Sequence, residues 1–343
     1  MNVDQFPDRI IEIDQEQYLY FGGTAYLGLP VNKDFQELVI KNIRNWGTAY
    51  GSSRSANIKL SAYENGETFL AGHIKAESAV TVSSGMLAGQ LVIDQLRKQT
   101  DTFFHFPNTH PAIQANDSLS LFLNNKINPR LLDSKSEKIT ILTDAVSGFQ
   151  TKAVDLSLLK EIPNHKEITL VIDESHSFGI LGKEGCGIYS DITFPVKRKI
   201  MVASLGKAFG LNGGVIAGDA SFINQIKNMA IFISAAGMNP AFVQTLADAS
   251  DLYKIQHQKL LDNLNYIDRK LIKKQIIKFD KTYPLMYLED ENLIEILKEN
   301  KIIIASFKYK ENANYLNRIV ITANHLQEDL DKLVNILNNH NFK

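Results

Sequence analysis

Two residues combine a reactive side chain with a position at the end of an apolar run. Lys207 follows "IMVASLG" and precedes the glycine-rich return "LNGG", so little side-chain bulk surrounds it. A partly desolvated ammonium loses its proton more easily, which makes the amine a usable nucleophile toward an aldehyde. Asp173 ends the run "TLVID", where a carboxylate can accept one buried hydrogen bond from a cation. Together, the two residues indicate a binding site for a small molecule that carries both an aldehyde and a cationic hydrogen-bond donor.

Each residue taken alone has a simpler interpretation. An aspartate at a strand end is more often a helix N-cap or a turn residue, and a glycine-lysine pair in a loop is usually a solvated turn. The pair is more informative, because pyridoxal phosphate needs a lysine for its aldehyde and an aspartate for its ring nitrogen. A Walker-type phosphate loop is excluded, since Met201 stands where that motif requires a glycine. The sequence therefore favours pyridoxal phosphate as the cofactor.

The elements that position these residues are short apolar runs separated by amphipathic stretches, from about residue 77 to 220. The runs are rich in Val, Ile, Leu and Phe and read "SAVTVSS", "TFFHF", "EKITILTDAV", "EITLVIDES", "RKIMVAS" and "GGVIAG". This pattern predicts an α/β fold with a mostly parallel central sheet and flanking helices. Ligands of such sheets bind beyond the carboxyl ends of the strands, which is where Asp173 and Lys207 fall.

The pattern changes after about residue 240. Residues 241–271 predict one long helix or two, and the strands "YPLMYLED", "NKIIIASF" and "LNRIVITA" and the helix "QEDLDKLVNILNNH" follow. The prediction is therefore an N-terminal segment over 1–45, a large cofactor-binding domain over 46–240 and a small C-terminal α+β domain over 241–343.

Composition excludes several classes of protein. The 343 residues carry a formal net charge of −1, so no global field attracts nucleic acid or an anionic membrane. The basic run "RKLIKKQIIKFDK" is predicted to be a solvated helix face rather than a nucleic-acid patch. Neither a signal peptide nor a membrane span is predicted, and the single Cys186 excludes an internal disulfide. We expect a cytoplasmic protein without a metal site.

Longer motifs resemble a known family. The stretches "VIDESHSFGILGKEGCG" and "SLGKAFGLNGG" resemble the D-E-A-H-S-x-G-x-x-G-x-x-G-x-G and T-x-G-K-x-x-G-x-x-G-G signatures of the α-oxoamine synthases. Further similar pieces occur in the family's order: "AYLGLP", "YGSSRSAN", "SSGMLAGQLVI", "THPAI" and "NRIVITANH". The resemblance implies the pyridoxal-phosphate-dependent transferase fold, fold type I, and a homodimer whose active sites take residues from both subunits.

The resemblance also implies roles for individual residues. Lys207 would hold the cofactor through a Schiff base and then serve as acid and base at the substrate α-carbon. Asp173 would keep the ring nitrogen protonated. His176 would lie near the ring's phenolic oxygen, and His110 would stack on the ring face.

The resemblance also implies which residues bind the phosphate of the cofactor and the carboxylate of the substrate. The phosphate would be bound by N–H groups of Gly85 and Met86, where Ser84 precedes a helix, with a hydroxyl donated by Ser204. Arg318 would bind the amino-acid carboxylate bidentately, which suits a planar guanidinium. Its simpler interpretation is a surface ion pair.

Several positions depart from the family pattern: Ala25, Gly148 and the pair Ala235–Ala236 stand where the family has polar side chains or another motif residue.

We expect an acyl-CoA:amino-acid C-acyltransferase that decarboxylates its product, acting on an amino acid such as glycine, alanine or serine and on an acyl thioester. Another pyridoxal-phosphate reaction, such as transamination or aldol cleavage, and a non-catalytic binding protein stay open as alternatives.

Overall fold

The computed structural model describes residues 2–272, 277–308 and 315–340. The strands in these ranges are β1 (Ile10–Ile13), β2 (Glu16–Phe21), β3 (Ser78–Val82), β4 (Thr102–His105), β5 (Leu119–Ser120), β6 (Phe122–Leu123), β7 (Lys126–Ile127), β8 (Glu137–Asp144), β9 (Lys166–Asp173), β10 (Arg198–Ser204), β11 (Gly214–Gly218), β12 (Lys278–Phe279), β13 (Leu285–Leu288), β14 (Ile302–Phe307) and β15 (Leu316–Val320). The α-helices are α1 (Lys33–Trp46), α2 (Ser61–Ile74), α3 (Gly85–Leu96), α4 (Ala220–Lys227), α5 (Ala230–Ser234), α6 (Pro240–Asp248), α7 (Ser250–Lys270), α8 (Glu291–Glu299) and α9 (Gln327–Asn339).

The chain forms two compact units. The first comprises residues 1–35, 208–210 and 251–343, and the second comprises 36–207 and 211–250. The first unit thus groups the N-terminal residues with the C-terminal part of the chain. The domain limits after residues 45 and 240, drawn from the sequence pattern, stay a prediction.

The second unit is built on a seven-stranded sheet with the order β3-β11-β10-β9-β8-β4-β5. The pairs from β10 through β5 are parallel, and β11 is antiparallel to both β10 and β3. The predicted mostly parallel α/β sheet is confirmed. All six predicted runs form strands of it, within a few residues of their expected limits.

Apolar clusters cover both faces of this sheet, which explains why its strands are apolar on both sides. Along β9, the side chain of Val171 packs in one cluster with Ile200 and Val202. The alternate residues Leu170 and Ile172 pack in the other cluster. Since successive side chains of a strand point to opposite faces, both faces are buried and only the strand ends are left for polar chemistry.

The first unit contains a six-stranded sheet with the order β1-β2-β14-β15-β13-β12. The pair β2–β14 is parallel and the other pairs are antiparallel. The predicted strands of the C-terminal α+β part are present as β13, β14 and β15, and its last helix is α9.

The stretch predicted as one helix or two forms two, α6 and α7, separated at Ala249. Of the basic run that follows, only Arg269 and Lys270 lie in a helix, and Lys278 and Phe279 form a strand, so the helix prediction was wrong there. Residues 273–276 of the run lie outside the described residues. None of the described helices has the length and apolar character that crossing a bilayer requires.

Candidate active site

The carboxyl ends of β8, β9 and β10 bring several predicted residues together. Asp173, the last residue of β9, is 7% exposed and pairs with Val202 of β10. Its Oδ1 accepts a hydrogen bond of 2.8 Å from the backbone N–H of Ser175. The Ser175 hydroxyl oxygen accepts one of 2.8 Å from the backbone N–H of Ser204, at the end of β10. These bonds tie the Asp173 segment to the strand that leads into Lys207.

Lys207 lies in the turn that connects β10 to the antiparallel β11. Backbone hydrogen bonds close this turn: the N–H of Leu205 donates to the carbonyl of Gly213 (3.0 Å), and that of Leu211 donates to the carbonyl of Leu205 (3.2 Å). The Lys207 side chain is partly buried. The turn therefore holds the amine at the sheet edge predicted for ligand binding.

The start of α3 lies against the end of β10. A Cβ placed on Gly85 would lie 2.9 Å from the Cβ of Ser204. The Ser84 side chain caps the helix by accepting from the N–H of Leu87 (3.1 Å). The N–H groups of Gly85 and Met86 precede that bond, at the positive end of the helix, and the Met86 side chain is exposed. The predicted phosphate donors thus lie next to one another.

His110 is exposed and is held by a carboxylate that the sequence reasoning missed. Asp144, the last residue of β8, accepts a bond of 3.0 Å from the His110 backbone N–H. The His110 Nδ1 in turn accepts from the N–H of Ala112 (3.2 Å). Asp144 is also the direct neighbour of Asp173 across the β8–β9 pair. An aspartate ending an apolar strand is the signal that identified Asp173, so it could have identified Asp144.

The Asp144 carboxyl group holds its proton more firmly than an ordinary aspartate. Burial and the nearby charge of Asp173 raise the pKa of Asp144 to about 8, while the His110 N–H and the Lys207 charge act in the opposite direction. Two carboxylates at one site rarely ionise together, because the like charges repel in a poorly solvated place. The surroundings of Asp144 therefore favour its protonated form.

This shift predicts a pH dependence of stability in the cofactor-free protein. Between the unfolded pKa near 3.8 and the folded pKa of about 8, the folded state holds a proton on Asp144 that the unfolded state has released. Stability from this group therefore falls as the pH rises through that range. We expect Asp144→Asn, which cannot titrate, to show a smaller fall in the urea midpoint from pH 5 to pH 9 than the unaltered protein.

The exposed Asp117, paired with Arg97, provides the control for this experiment. Asp117→Asn should leave the slope between pH 5 and pH 9 unchanged, because ion pairing lowers the pKa of Asp117 and it ionises at lower pH. Equal slopes for Asp144→Asn and the unaltered protein would contradict a protonated Asp144.

A second missed carboxylate, Glu174, shapes the glycine-rich segment after Asp173. Glu174 is fully buried and accepts hydrogen bonds from the Ser177 hydroxyl (2.7 Å) and from the backbone N–H groups of Ile188 (2.8 Å) and Tyr189 (2.8 Å). Burial raises its pKa to about 7, against these bonds. Glu174 thus folds the segment 179–189 back onto the end of β9. His176 is partly buried within this arrangement.

The glycine at 187 is required by this arrangement. Its φ is +80°, and a Cβ there would lie 2.1 Å from Oε2 of Glu174. We expect Gly187→Ala to lower the midpoint of thermal unfolding by at least about 4 °C, because left-handed strain of about 1–3 kcal/mol adds to the steric conflict. Scanning calorimetry measures the shift.

Gly72→Ala, in α2, is the matched control. Among the described residues, no atom would lie within 4 Å of a Cβ placed on Gly72, and alanine is favoured over glycine in a helix by about 0.5–1 kcal/mol. The midpoint of this variant should be unchanged or higher. If the Gly187→Ala and Gly72→Ala proteins have the same midpoint of thermal unfolding, then glycine is not required at position 187.

Arg318 lies in the first unit, on β15 in the middle of its sheet. It is 6% exposed, and its guanidinium carbon lies 4.9 Å from the ring centre of Phe307. Among the described residues, no atom accepts a hydrogen bond from its Nε or Nη1. The surface ion pair considered from the sequence was wrong. An anionic ligand would satisfy these donors.

The residues of the second unit fit pyridoxal phosphate by the chemistry of their groups. An amine, a buried carboxylate and a helix start lie at the carboxyl edge of one mostly parallel sheet, and the cofactor carries an aldehyde, a basic ring nitrogen and a phosphate. This fold and site define a pyridoxal-phosphate-dependent enzyme of fold type I.

The chain belongs to the aminotransferase class I and II family, whose model matches residues 124–337. It is 28% identical to the 8-amino-7-oxononanoate synthase of Petrotoga mobilis, over 94% of this chain and 88% of that protein. It is 25% identical to the serine palmitoyltransferase of Sphingobacterium spiritivorum, over 77% and 70%. A solved structure described as SPT with PLP internal aldimine superposes with a TM-score of 0.81 at 16% identity, over 98% of this chain and 91% of that one. The predicted α-oxoamine synthase resemblance, fold and cofactor are confirmed.

Proposed function

We propose that the chain is an acyl-CoA:amino-acid C-acyltransferase, most like 8-amino-7-oxononanoate synthase. The amino acid and the acyl thioester would combine to give an α-oxoamine, carbon dioxide and free coenzyme A. One carbon–carbon bond forms, the thioester C–S bond breaks, and the amino-acid carboxylate leaves. The observation that carries the proposal is Arg318, a buried guanidinium with unsatisfied donors in a chain whose relatives bear these enzyme names.

Bound pyridoxal phosphate supplies a ring that stabilises negative charge at the α-carbon of an amino acid. Asp173, an acceptor at the end of a buried strand, keeps a proton on the ring nitrogen. Lys207 would hold the cofactor through its amine, and the same amine would move a proton at the substrate α-carbon. Arg318 binds the carboxylate of the amino acid bidentately.

Other residues orient the cofactor. The N–H groups of Gly85 and Met86 and the Ser204 hydroxyl hold the phosphate. His110, whose backbone Asp144 fixes, would cover one ring face, and His176 would bind the phenolic oxygen. The bond from the His110 N–H to Asp144 supports this arrangement, because it restricts the segment that carries the imidazole.

The identities of the substrates rest on the positions that depart from the family pattern. At Gly148 the family's serine is missing, but Ser147 is nearly buried beside it, and its hydroxyl accepts a long bond of 3.5 Å from the N–H of Phe149. Ala235 and Ala236 follow α5 and offer no hydroxyl. We propose a small amino acid, such as glycine, alanine or serine, as the substrate, and the serine palmitoyltransferase among the relatives supports this.

The test is to supply the holoenzyme with each amino acid and an acyl-CoA and to measure free thiol. Steady thiol release that depends on the amino acid supports the acyltransferase. If a keto acid forms and no thiol is released, then the protein catalyses transamination and the acyltransferase proposal is wrong. A protein that neither releases thiol nor becomes labelled on Lys207 by borohydride would be the non-catalytic binding protein.

We propose further that the protein is a cytoplasmic homodimer. Ile58 is 64% exposed, and Ile231 and Ile233 are also exposed on the second unit, which supports burial of this surface against a partner. Light scattering of the holoenzyme should give twice the chain mass of 38.5 kDa. A fully active monomer would contradict shared active sites.

A further inference from the structure

The space beside Arg318 is defined by strand register. Within the first unit, Arg318 of β15 pairs directly with Ala305 of β14 and with Tyr287 of β13. On the other side of β14, Tyr20 pairs with Ile303, and the same register carried two residues further places Gly22 beside Ala305. Directly paired residues share a sheet face. On the face that carries the Arg318 side chain, the next two positions across the sheet are therefore the small residues Ala305 and Gly22.

The Tyr20 side chain covers this gap. Its ring and hydroxyl oxygen lie 2.6 Å from where a Cβ of Gly22 would be. The phenol is thus folded along the strand over Gly22, in the row that contains Arg318, instead of standing over its own strand position. With strands about 4.8 Å apart, the Cα atoms of Gly22 and Arg318 are about 10 Å apart, a gap that the long arginine side chain can span.

The positive charge of Arg318 acts on two phenols of the first unit. Burial raises the pKa of the Tyr20 phenol, and the positive charge of Arg318 acts in the opposite direction. The same charge acts on the buried Tyr283. The guanidinium therefore lies within electrostatic range of both phenols, with Phe307 against it.

The backbone of Tyr20 is held on both sides. Its N–H donates to the carbonyl of Arg9 (2.9 Å), and its carbonyl accepts from Nε2 of His325 (3.1 Å). Nδ1 of His325 accepts from the Thr322 N–H (2.9 Å), which fixes the neutral tautomer, and burial lowers the pKa of this imidazole. His325 also stacks on Phe21, with ring centres 4.2 Å apart. Tyr20 is thus preorganised for binding.

We propose that Tyr20 is a substrate-binding residue whose phenolic hydroxyl donates a hydrogen bond to the amino-acid carboxylate held by Arg318. This inference rests on the proposed function, because it requires an α-amino acid in the Arg318 subsite. The planar guanidinium binds the carboxylate, and the phenol adds a third, neutral donor from the opposite side of the gap. Ala305, which carries only a methyl group between Arg318 and the Tyr20 hydroxyl, leaves the room in which the carboxylate would lie.

The experiment measures amino-acid binding to the holoenzyme through the change in cofactor absorbance. Glycine, L-alanine and L-serine are compared with methylamine, ethylamine and ethanolamine, which lack the carboxylate. In Tyr20→Phe we expect the Kd of the best amino acid to rise about tenfold, since a hydrogen bond to a charged group is lost. The Kd of the matching amine should stay the same.

Three further variants separate this role from a structural one. Tyr18→Phe removes a hydroxyl from the same strand and face, where it donates to the exposed Glu16, and should leave both Kd values unchanged. Gly22→Ala forces the Tyr20 ring aside without deleting it and should reproduce the Tyr20→Phe loss. Arg318→Lys should weaken amino-acid binding more than Tyr20→Phe does. Melting temperatures confirm that each variant is folded.

The outcomes are distinct. A Tyr20→Phe protein that binds amino acids as the unaltered protein does, or that loses amino acid and amine equally, overturns the role of Tyr20 while leaving the proposed function in place. An unaltered holoenzyme that responds to no amino acid overturns the proposed function, and the Tyr20 proposal with it.

Discussion

Replacing Lys207 by alanine is expected to slow coenzyme A release at least about a thousandfold, because one side chain supplies both the covalent attachment and the proton transfer. The turn that carries Lys207 is closed by backbone bonds from Leu205 and Leu211. The alanine variant should therefore remain folded and bind the cofactor without a covalent link. The rate of thiol release measures the loss of activity. Borohydride labelling followed by peptide mass analysis measures the loss of the covalent link.

Lys197→Ala is the control for this experiment, since Lys197 precedes β10 and its side chain is 70% exposed. Its activity and its labelling at Lys207 should match those of the unaltered protein. If the Lys207→Ala protein is labelled by borohydride to the same extent, or keeps its rate of thiol release, then the attachment site is another amine.

Asp173→Asn is expected to lower the rate of thiol release by about 10²–10³, the range found when one preorganised electrostatic partner of a reacting centre is removed. The amide keeps the oxygen that accepts the Ser175 N–H, so the local fold is preserved. It lacks the negative charge that keeps a proton on the ring nitrogen. Cofactor affinity, measured by adding pyridoxal phosphate to the cofactor-free protein, should also fall.

Asp144→Asn provides the contrast, because the same change is made at the neighbouring strand end. Burial and the charge of Asp173 raise the pKa of Asp144 to about 8, which favours its protonated form. An amide at this position is neutral, like the protonated carboxyl group, and its oxygen still accepts from the His110 N–H. The rate of thiol release should therefore fall less than about tenfold. Equal losses for the two substitutions would show that charge at Asp173 is not what the reaction requires.

Local patterns were sufficient where one residue and its immediate neighbours define the signal. The apolar runs predicted all the strands of the large sheet that surround the site, because burial on both faces demands continuous apolar sequence. Lys207 and Asp173 stood out since each follows such a run. The roles assigned to them, and to His176, Ser204, Gly85 and Met86, stay predictions for the experiments above.

Other features depend on neighbours that are distant along the chain. Glu174 is a conventional surface residue by type, and only folding brings the N–H groups of Ile188 and Tyr189 onto its carboxylate. The separation of α6 from α7 at Ala249 left no proline or glycine as a signal. The predicted helix in the basic run failed at Lys278 because pairing with Tyr287 overrides local propensity.

The sequence by itself determined the class of fold and the cofactor and predicted the reactive lysine, because these depend on hydrophobic period and on side-chain types at strand ends. Only the tertiary structure decided that the pKa of Asp144 is raised beside Asp173 and that Tyr20 lies over Gly22 in the row of Arg318. The physical reason is that charge states and ligand geometry depend on burial and on strand register. Both arise from contacts between residues that are far apart in the chain.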